Sequence, residues 1–465
     1  MVKDFSEWYT EVVVNSGLVD YGPVKGTMAI MPYGYAIWEF IQKSFDEKIK
    51  RSGHKNAYFP MFIPESLLKK EEEHFQSFSA EAFWITEEGN RKISERLAVR
   101  PTSETIIYYF FSKWIRSWRD LPLLVNQWCN VARAEIKMTK PFLRTKEFLW
   151  QEGHTAHATK EEAEKEASMI LGYYREVLEE ELAIPVIAGR KSESEKFAGA
   201  VYTLSLEAMV RDGRAVQVAT SHYLGQNFSK PFEVKFMDEK GDEEYAHTTS
   251  WGISTRLIGA LVMVHGDEKG LVIPPRVAPI QVIIIPIYTN ENKESILRYA
   301  EDLCAELNAC GIRAELDKRE DKTPGYKFND YELKGVPIRA EIGEKEVGAG
   351  KVSLAIRHNG RKEEIKRENA CISLKELLLG IQKEMYVKAS EMLSRMTLHA
   401  KSYDELLGLS GKGFVIAGWC GSSECEAKIK NETTMTSRVV LEEKHGNCIV
   451  CGREARYKAY FAKSY

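Results

Sequence analysis

Two sets of side chains in this chain have the types and spacing to do chemistry. In an extended strand alternate side chains share a face, and from Arg144 the even positions read Arg144, Lys146, Phe148, Trp150, Glu152 and His154. A solvated amphipathic strand accounts for Lys146 but not for two rings beside an imidazole. The preceding strand ends Arg133-Ala-Glu135, which adds a cation and a carboxylate near the same turn. Guanidinium groups bind phosphate oxygens through paired hydrogen bonds, and a ring offers adenine a platform, so this surface suits ATP. A third cation, Arg256, closes Ser250-Trp-Gly-Ile-Ser-Thr-Arg256 at an expected helix start, where backbone N–H groups favour anions. Neither common glycine-rich phosphate cradle is present, and Lys137-Met-Thr-Lys140 reads as a solvated hairpin turn.

The second set is Cys420, Cys425, Cys448 and Cys451, spaced C-x4-C-x22-C-x2-C. Thiols paired this way in a cytosolic chain point to zinc rather than to disulfides. A four-thiolate site is closed and therefore structural. Cys129, Cys304, Cys310 and Cys371 are scattered and read as buried free thiols.

The elements that must hold these groups follow from periodicity. Residues 35–52 form an amphipathic helix with Ile37, Phe40, Ile41, Phe45 and Ile49 on one stripe and Gly53 as the stop. A short strand ends at Tyr58-Phe59-Pro60, and residues 105–118 are a helix rich in aromatics. Residues 123–135 and 142–158 make a long antiparallel hairpin. Thr159 and Glu162 form a capping box for a helix running to about Leu182. A strand is expected at 213–222 and a helix at 253–264. The run Ile273-Pro-Pro-Arg-Val-Ala-Pro279 fits neither helix nor central strand and marks a boundary.

Beyond it the rhythm is strand, helix, strand, helix, two strands, helix. The clearest strands are 281–287 and 338–342, and a helix at 295–307 turns Ile296, Ala300, Leu303 and Leu307 inward. This is a small α/β domain. A long helix is expected from about 381, then a strand at 414–419 leading into the cysteines. The division is thus 1–277, 278–380 and 381–465, about what 465 residues allow.

A net charge of −3 argues against a protein that coats nucleic acid generically, although charge segregated onto one face still permits RNA binding. The start of the chain lacks a signal-peptide layout, and no apolar run approaches the roughly 18 residues of a membrane span. A cytoplasmic location with no membrane association is expected.

These pieces resemble the signature motifs of class II aminoacyl-tRNA synthetases. Over nearly the whole chain the resemblance is to the prolyl-tRNA synthetase family of archaeal and eukaryotic type. Its most specific stretches are Arg100-Pro-Thr-Ser-Glu104, the run from Pro141 to His157, Ala219-Thr-Ser-His222 with Asn227-Phe228, and Val264-His-Gly-Asp267 with Pro274-Pro275. The fold implied is an α+β catalytic domain on an antiparallel sheet, an α/β anticodon-binding domain and a small C-terminal zinc-binding α/β module. The reaction implied is ATP-dependent ligation of L-proline to tRNA(Pro) through a prolyl-adenylate, by a homodimer.

The resemblance also implies roles. Pro60 belongs to the dimer interface. Arg133 and Arg256 are the catalytic cations, Arg133 on the α-phosphate and Arg256 with Arg144 on the outer phosphates. Glu135 lies on the adenine side, Phe148 stacks adenine, and Thr145, Ser254 and Thr255 complete the ATP contacts. Gln217 and Thr220 lie near ATP and its Mg²⁺. Thr102 and Glu104, with Arg133, receive proline, although Thr102 also reads as a helix cap. Trp150, Glu152, His154, Phe197 and His222 wall the proline pocket, where a secondary ammonium wants a carboxylate and a pyrrolidine ring wants aromatic walls.

Phe328, Glu332, Arg339 and Lys345 would read the anticodon by stacking and base-edge hydrogen bonds. The four clustered cysteines match the family's zinc module, and the terminal Tyr465 matches relatives whose last tyrosine packs toward the active site. The short gap from His157 to Phe197 predicts no large inserted editing domain. Two rival readings share the fold, a non-catalytic paralogue and a threonine-specific synthetase. The three arginines argue against the first, and the Thr102–Glu104 loop with the aromatic pocket against the second.

Overall fold

The computed structural model describes residues 4–74 and 82–465. Its centre is a sheet of eleven strands. In spatial order they are Thr397–His399, Phe414–Trp419, Tyr457–Ala462, Thr436–Leu441, Ile187–Arg190, Tyr202–Met209, Ala215–Gly225, His247–Ser254, Glu147–His157, Leu123–Ala132 and Lys55–Asn56. Only the two outermost pairs are parallel. The strands that carry the sequence motifs lie in the middle, where neighbours on both sides fix their register.

The first long helix is Pro32–Arg51, with proline at its first position and Gly53 at φ 94° after its end. Ile37, Trp38, Ile41, Phe45 and Ile49 enter the main core. Phe40, half-buried, packs against the edge of the same core, with the Arg313 guanidinium 4.3 Å from its ring centroid. The expected strand at Tyr58–Pro60 shrinks to Lys55–Asn56, and Phe59 N–H donates instead to Gln127 Oε1. The aromatic helix is Glu104–Trp114, followed by a short 3-10 turn, Trp118–Asp120. Both halves of the Thr159–Glu162 capping box form, and helix Lys160–Glu176 continues as a π-type turn to Glu181. Between His157 and Phe197 the chain holds these elements and strand Ile187–Arg190.

The segment expected to begin a helix at Ile253 is still strand there. Strand His247–Ser254 pairs on both sides, and the helix is Arg256–His265, so Arg256 opens the helix rather than lying one turn inside it.

A separate five-stranded sheet follows, in the order Ala314–Leu316, Val282–Pro286, Ile338–Ile342, Lys351–Ile356, Lys362–Lys366. Helix Lys293–Ala309 buries Ile296, Ala300, Leu303 and Leu307 against it, the four residues its spacing predicts. Three strands rather than two follow helix Pro324–Leu333, because the short helix Glu344–Ala349 ends at Gly350 in the left-handed region and lets the chain turn back.

Helix Ala370–Arg395 runs unbroken through residue 380, the expected division. Leu374, Leu378, Ile381 and Met385 pack on the second sheet, whereas Ala389 packs on the main core. Of the scattered cysteines two are free thiols and two are not. Cys129 and Cys304 are half-buried, and Cys310 and Cys371 are disulfide-bonded, joining the ends of two helices.

Candidate active site

The hairpin builds the site from its register. Trp150 lies opposite Cys129, and Glu152 opposite Gln127 on one side and Gly252 on the other. Across strand His247–Ser254 the next pairings are His222 with Ser250 and Thr220 with Gly252. Side chains paired across antiparallel strands share a face. Phe148, Trp150, Glu152 and His154 therefore meet Gln217, Thr220 and His222 on one surface, where they line a cavity of about 250 Å³. Thr102, Glu104, Arg133, Phe197, Ser254 and Arg256 complete its walls.

Two cations, Arg133 and Arg256, meet at the cavity, and the charge of a third, Arg144, reaches Arg256. Arg133 lies just past the end of its strand, with its guanidinium carbon 5.3 Å from the Phe148 ring centroid and 6.0 Å from that of Trp150. Its Nε donates to Pro101 O at 3.3 Å. Arg256 donates from Nε to Leu143 O at 3.2 Å and from Nη1 to Gln217 O at 3.3 Å. Burial, with the charges of Arg133 and Arg144 close by, pulls Arg256 down to about 10. Burial also lowers Arg133. Desolvated cations held close together, with no direct ion pair to a carboxylate among the described residues, suit a polyanion.

At the other end the cavity is acidic and aromatic. Burial disfavours the Glu152 charge, yet hydrogen bonds from His154 Nε2 at 3.1 Å, Ser103 Oγ at 2.5 Å and Gln127 Nε2 at 2.8 Å hold its carboxyl below the ordinary range. Thr102 Oγ1 donates to Glu104 Oε2, so it caps nothing; the residue at the helix N-cap is Ser103. His222 packs on Phe197 with ring centroids 4.8 Å apart. Burial, with His154 nearby, pushes His222 down to about 3, so it is neutral. Thr203 Oγ1 accepts from Phe197 N–H at 3.0 Å and shares a hydrogen bond of 2.8 Å with His222 Nδ1, which holds the ring in place.

The alternation read from Arg144 holds only from Phe148 onward. Strand pairing starts at Glu147, because Phe142, at φ 60°, and Leu143 are buried in the main core and bend the chain into a loop. Arg144 is thus exposed on that loop, Thr145 is buried beneath it, and Glu135 is exposed at the mouth. Thr255 is buried behind the wall. None of these four lines the cavity. Lys140 is not a simple solvated turn residue: its Nζ donates to Ser6 Oγ at 2.7 Å and lies between the Tyr9 and Tyr465 rings.

Ser103, Gln127 and Thr203 escaped the sequence reading. Laying the strands in register would have placed Gln127 against Glu152 and Thr203 against His222. Ser250, which also lines the cavity, carries a buried hydroxyl without a partner.

On the five-stranded sheet a cavity of about 310 Å³ is lined by Phe328, Glu332 and Arg339. The Arg339 guanidinium lies 4.1 Å over the Phe328 ring and donates to Glu341, while Glu332 accepts from Lys269. Lys345 stands apart on helix Glu344–Ala349. In the loop before Phe328, Asp317 is buried and accepts from Arg319, with Lys327 Nζ 3.5 Å away.

The sulfurs of Cys420, Cys425, Cys448 and Cys451 all lie within 4.8 Å of one another. Cys420 is 3.8 Å from both Cys425 and Cys451. Metal–sulfur bonds of about 2.3 Å in a tetrahedron imply S···S edges of about 3.8 Å, so the donor set fits zinc. Pro60 is exposed, close in sequence to Tyr58, which is 69% exposed.

Comparison with known proteins agrees with this geometry. Residues 83–265 match the model of the class II tRNA synthetase core domain (G, H, P, S and T), residues 281–377 an anticodon binding domain, and residues 404–465 the prolyl-tRNA synthetase C-terminal domain. A proline–tRNA ligase of Cenarchaeum symbiosum is 55% identical, over 99% of this chain and 98% of its own. One from Symbiobacterium thermophilum is 50% identical, over 100% and 97%. The solved prolyl-tRNA synthetase of Cryptosporidium parvum, complexed with halofuginone and AMPPNP, superposes with a TM-score of 0.95 at 42% identity, covering 100% of this chain and 98% of that one. A class II core, an anticodon-binding domain and relatives matched end to end leave one conclusion: the chain belongs to the prolyl-tRNA synthetases, class II ligases that join proline to tRNA.

Proposed function

We propose that the cavity on the central sheet activates L-proline with ATP–Mg²⁺ and then transfers the prolyl group to tRNA(Pro). The observation that carries this reading is the pairing of Arg133 and Arg256, with the charge of Arg144 reaching Arg256 from the adjacent loop, in a cavity that also holds Glu104, Glu152 and the rings of Trp150 and Phe197. A relative solved with AMPPNP, an ATP analogue, supports the nucleotide half.

Phe148 stacks the adenine, with Glu135 at its edge. Arg133 meets the α-phosphate between nucleotide and amino acid, while Arg256 and Arg144 hold the outer phosphates. Gln217, Thr220 and Ser254 border ATP and its Mg²⁺, with Thr145 and Thr255 shaping the wall from behind. Glu104 and Thr102 receive the secondary ammonium of proline, and Trp150, Glu152, His154, Phe197 and His222 enclose its ring. The proline carboxylate attacks the α-phosphorus and pyrophosphate leaves. A hydroxyl of the terminal tRNA ribose then attacks the prolyl carbonyl and AMP leaves. Charge develops on phosphate in the first step, so catalysis is mainly positioning and electrostatic stabilisation. No side chain is assigned as a general base.

The three-part division at about 277 and 380 is part of this reading, with helix Ala370–Arg395 shared across the second boundary. Phe328, Glu332 and Arg339, with Lys345 nearby, read the anticodon. The four clustered cysteines hold a structural zinc ion, which ties the C-terminal module together. The enzyme is cytoplasmic; recovery with membranes on cell fractionation would end that part. A second copy of the chain covers the face around Pro60, where Tyr58, Phe62 and Trp114 are 69%, 47% and 45% exposed.

Proline-dependent exchange of pyrophosphate into ATP tests the central reading. Exchange with proline, reduced about 10²- to 10³-fold by Arg133→Ala, is expected. Exchange with threonine but not proline would sink it.

A further inference from the structure

Beside the cavity, on the same face, lies a buried ion cluster that the reaction has not used. Glu207 is opposite Gln217 in the strand register, and its side chain is 0% exposed. Its Oε1 accepts from Lys191 Nζ at 2.6 Å and Ser205 Oγ at 3.0 Å. Its Oε2 accepts from one residue only among those described: Arg438, through Nε at 3.0 Å and Nη2 at 2.8 Å.

Arg438 comes from the C-terminal module, 231 positions along the chain. It is the unpaired residue between Ser437 and Val439 on strand Thr436–Leu441, and a second bulge shifts the register beside Glu207. Bulges re-aim side chains, and here two of them turn a carboxylate and a guanidinium toward each other. One strand over, Arg256 Nη1 donates to the carbonyl of Gln217, the cross-strand neighbour of Glu207. Arg256 feels the charges of both Glu207 and Arg438. A buried carboxylate that loses one partner is left undercompensated; with Lys191 already on Oε1, the other cation whose charge Glu207 reaches is Arg256.

We propose that Arg438 is a positioning residue for the ATP site: by occupying Glu207 Oε2 it leaves the Arg256 guanidinium free to meet phosphate. The C-terminal module thereby takes part in nucleotide binding without touching the nucleotide. The inference rests on the assignment of Arg256 to the phosphates of ATP.

Pyrophosphate exchange with the full-length protein separates the possibilities. Arg438→Met is expected to raise KM for ATP about tenfold or more while KM for proline stays within about twofold. Adding Glu207→Gln, which removes the competing charge, should restore most of the ATP affinity. Equal changes in both KM values, a loss confined to kcat, or no recovery in the double variant would mean that Arg438 only holds the fold, and would overturn the proposal. Should Arg438→Met fail to fold, Arg438→Lys, which keeps the charge but loses the fork, is expected to raise KM for ATP by a smaller factor; an unchanged value overturns the proposal equally. Arg256→Ala tells the two levels apart. If it leaves KM for ATP unchanged, the phosphate assignment falls and takes the inference with it. If it raises KM for ATP while Arg438→Met does not, the inference alone falls.

Discussion

His222, His157 and His265 sit in three different places, and burial depresses all of them from 6.5, to about 3, 4 and 4 respectively. In the unfolded chain each takes up a proton near pH 6.5, whereas the folded protein refuses it until far lower pH. The stability they contribute is therefore complete above about pH 6.5 and is lost as pH falls toward 4. For His157, 3% exposed, the slope is about 1.4 kcal/mol per pH unit in that window. Thermal melts between pH 7.5 and 4.5 should fall steeply below 6.5, and a His157→Asn variant should fall less steeply. A profile flat through this window would contradict the burial of the three rings. In the active site the same effect keeps His222 uncharged beside Thr203, which suits the proposed contact with an ammonium ion. The residue types on this wall were legible in the sequence because charge, ring and imidazole cannot share a strand face for packing alone. Thr203, Ser103 and Gln127 were not, since hydroxyls and amides are common everywhere and acquire meaning only once a partner stands opposite.

Among the elements, the helices came through best. Helix Lys293–Ala309 buries the residues its spacing picks out, since one apolar stripe has only one core to face. Strand ends fared worse. The hairpin opens into a loop at Phe142–Lys146, and strand His247–Ser254 extends over residues that read as helix, because pairing on both sides outweighs local propensity. Gly153 shows how tightly the hairpin is packed. A Cβ there would lie 1.9 to 2.2 Å from three atoms of the Trp251 indole, and the buried ring has nowhere to retreat. Gly153→Ala should destabilise the protein by about 3 kcal/mol or more. A melting temperature matching the parent would show that Trp251 does not cover the strand. Gly153 stands between Glu152 and His154, so the same change should weaken proline binding.

For the whole molecule, the eleven-stranded sheet joins the catalytic strands to the C-terminal module through Val440 and Arg190, so module and site share one continuous hydrogen-bonded layer. Zinc and the second copy are tested together by native mass spectrometry. Two chains with one zinc ion each are the expected mass. A monomer would end the dimer proposal, and a metal-free protein the zinc proposal. Replacing Cys420 with serine should remove the metal and lower the melting temperature while leaving the dimer intact.

What the sequence determined by itself were those properties that neighbours along the chain decide: the amphipathic helices, the capping box at Thr159, the ligand-rich face from Phe148 to His154, and the spacing of the four cysteines. Tertiary structure decided which of these groups meet. It set the strand register, kept Arg144 and Glu135 on the rim, joined Cys310 to Cys371, and brought Arg438 to Glu207 across 231 positions. The division is physical: local patterning is governed by backbone geometry a few residues wide, whereas burial and charge pairing depend on surfaces that exist only after distant strands lie side by side.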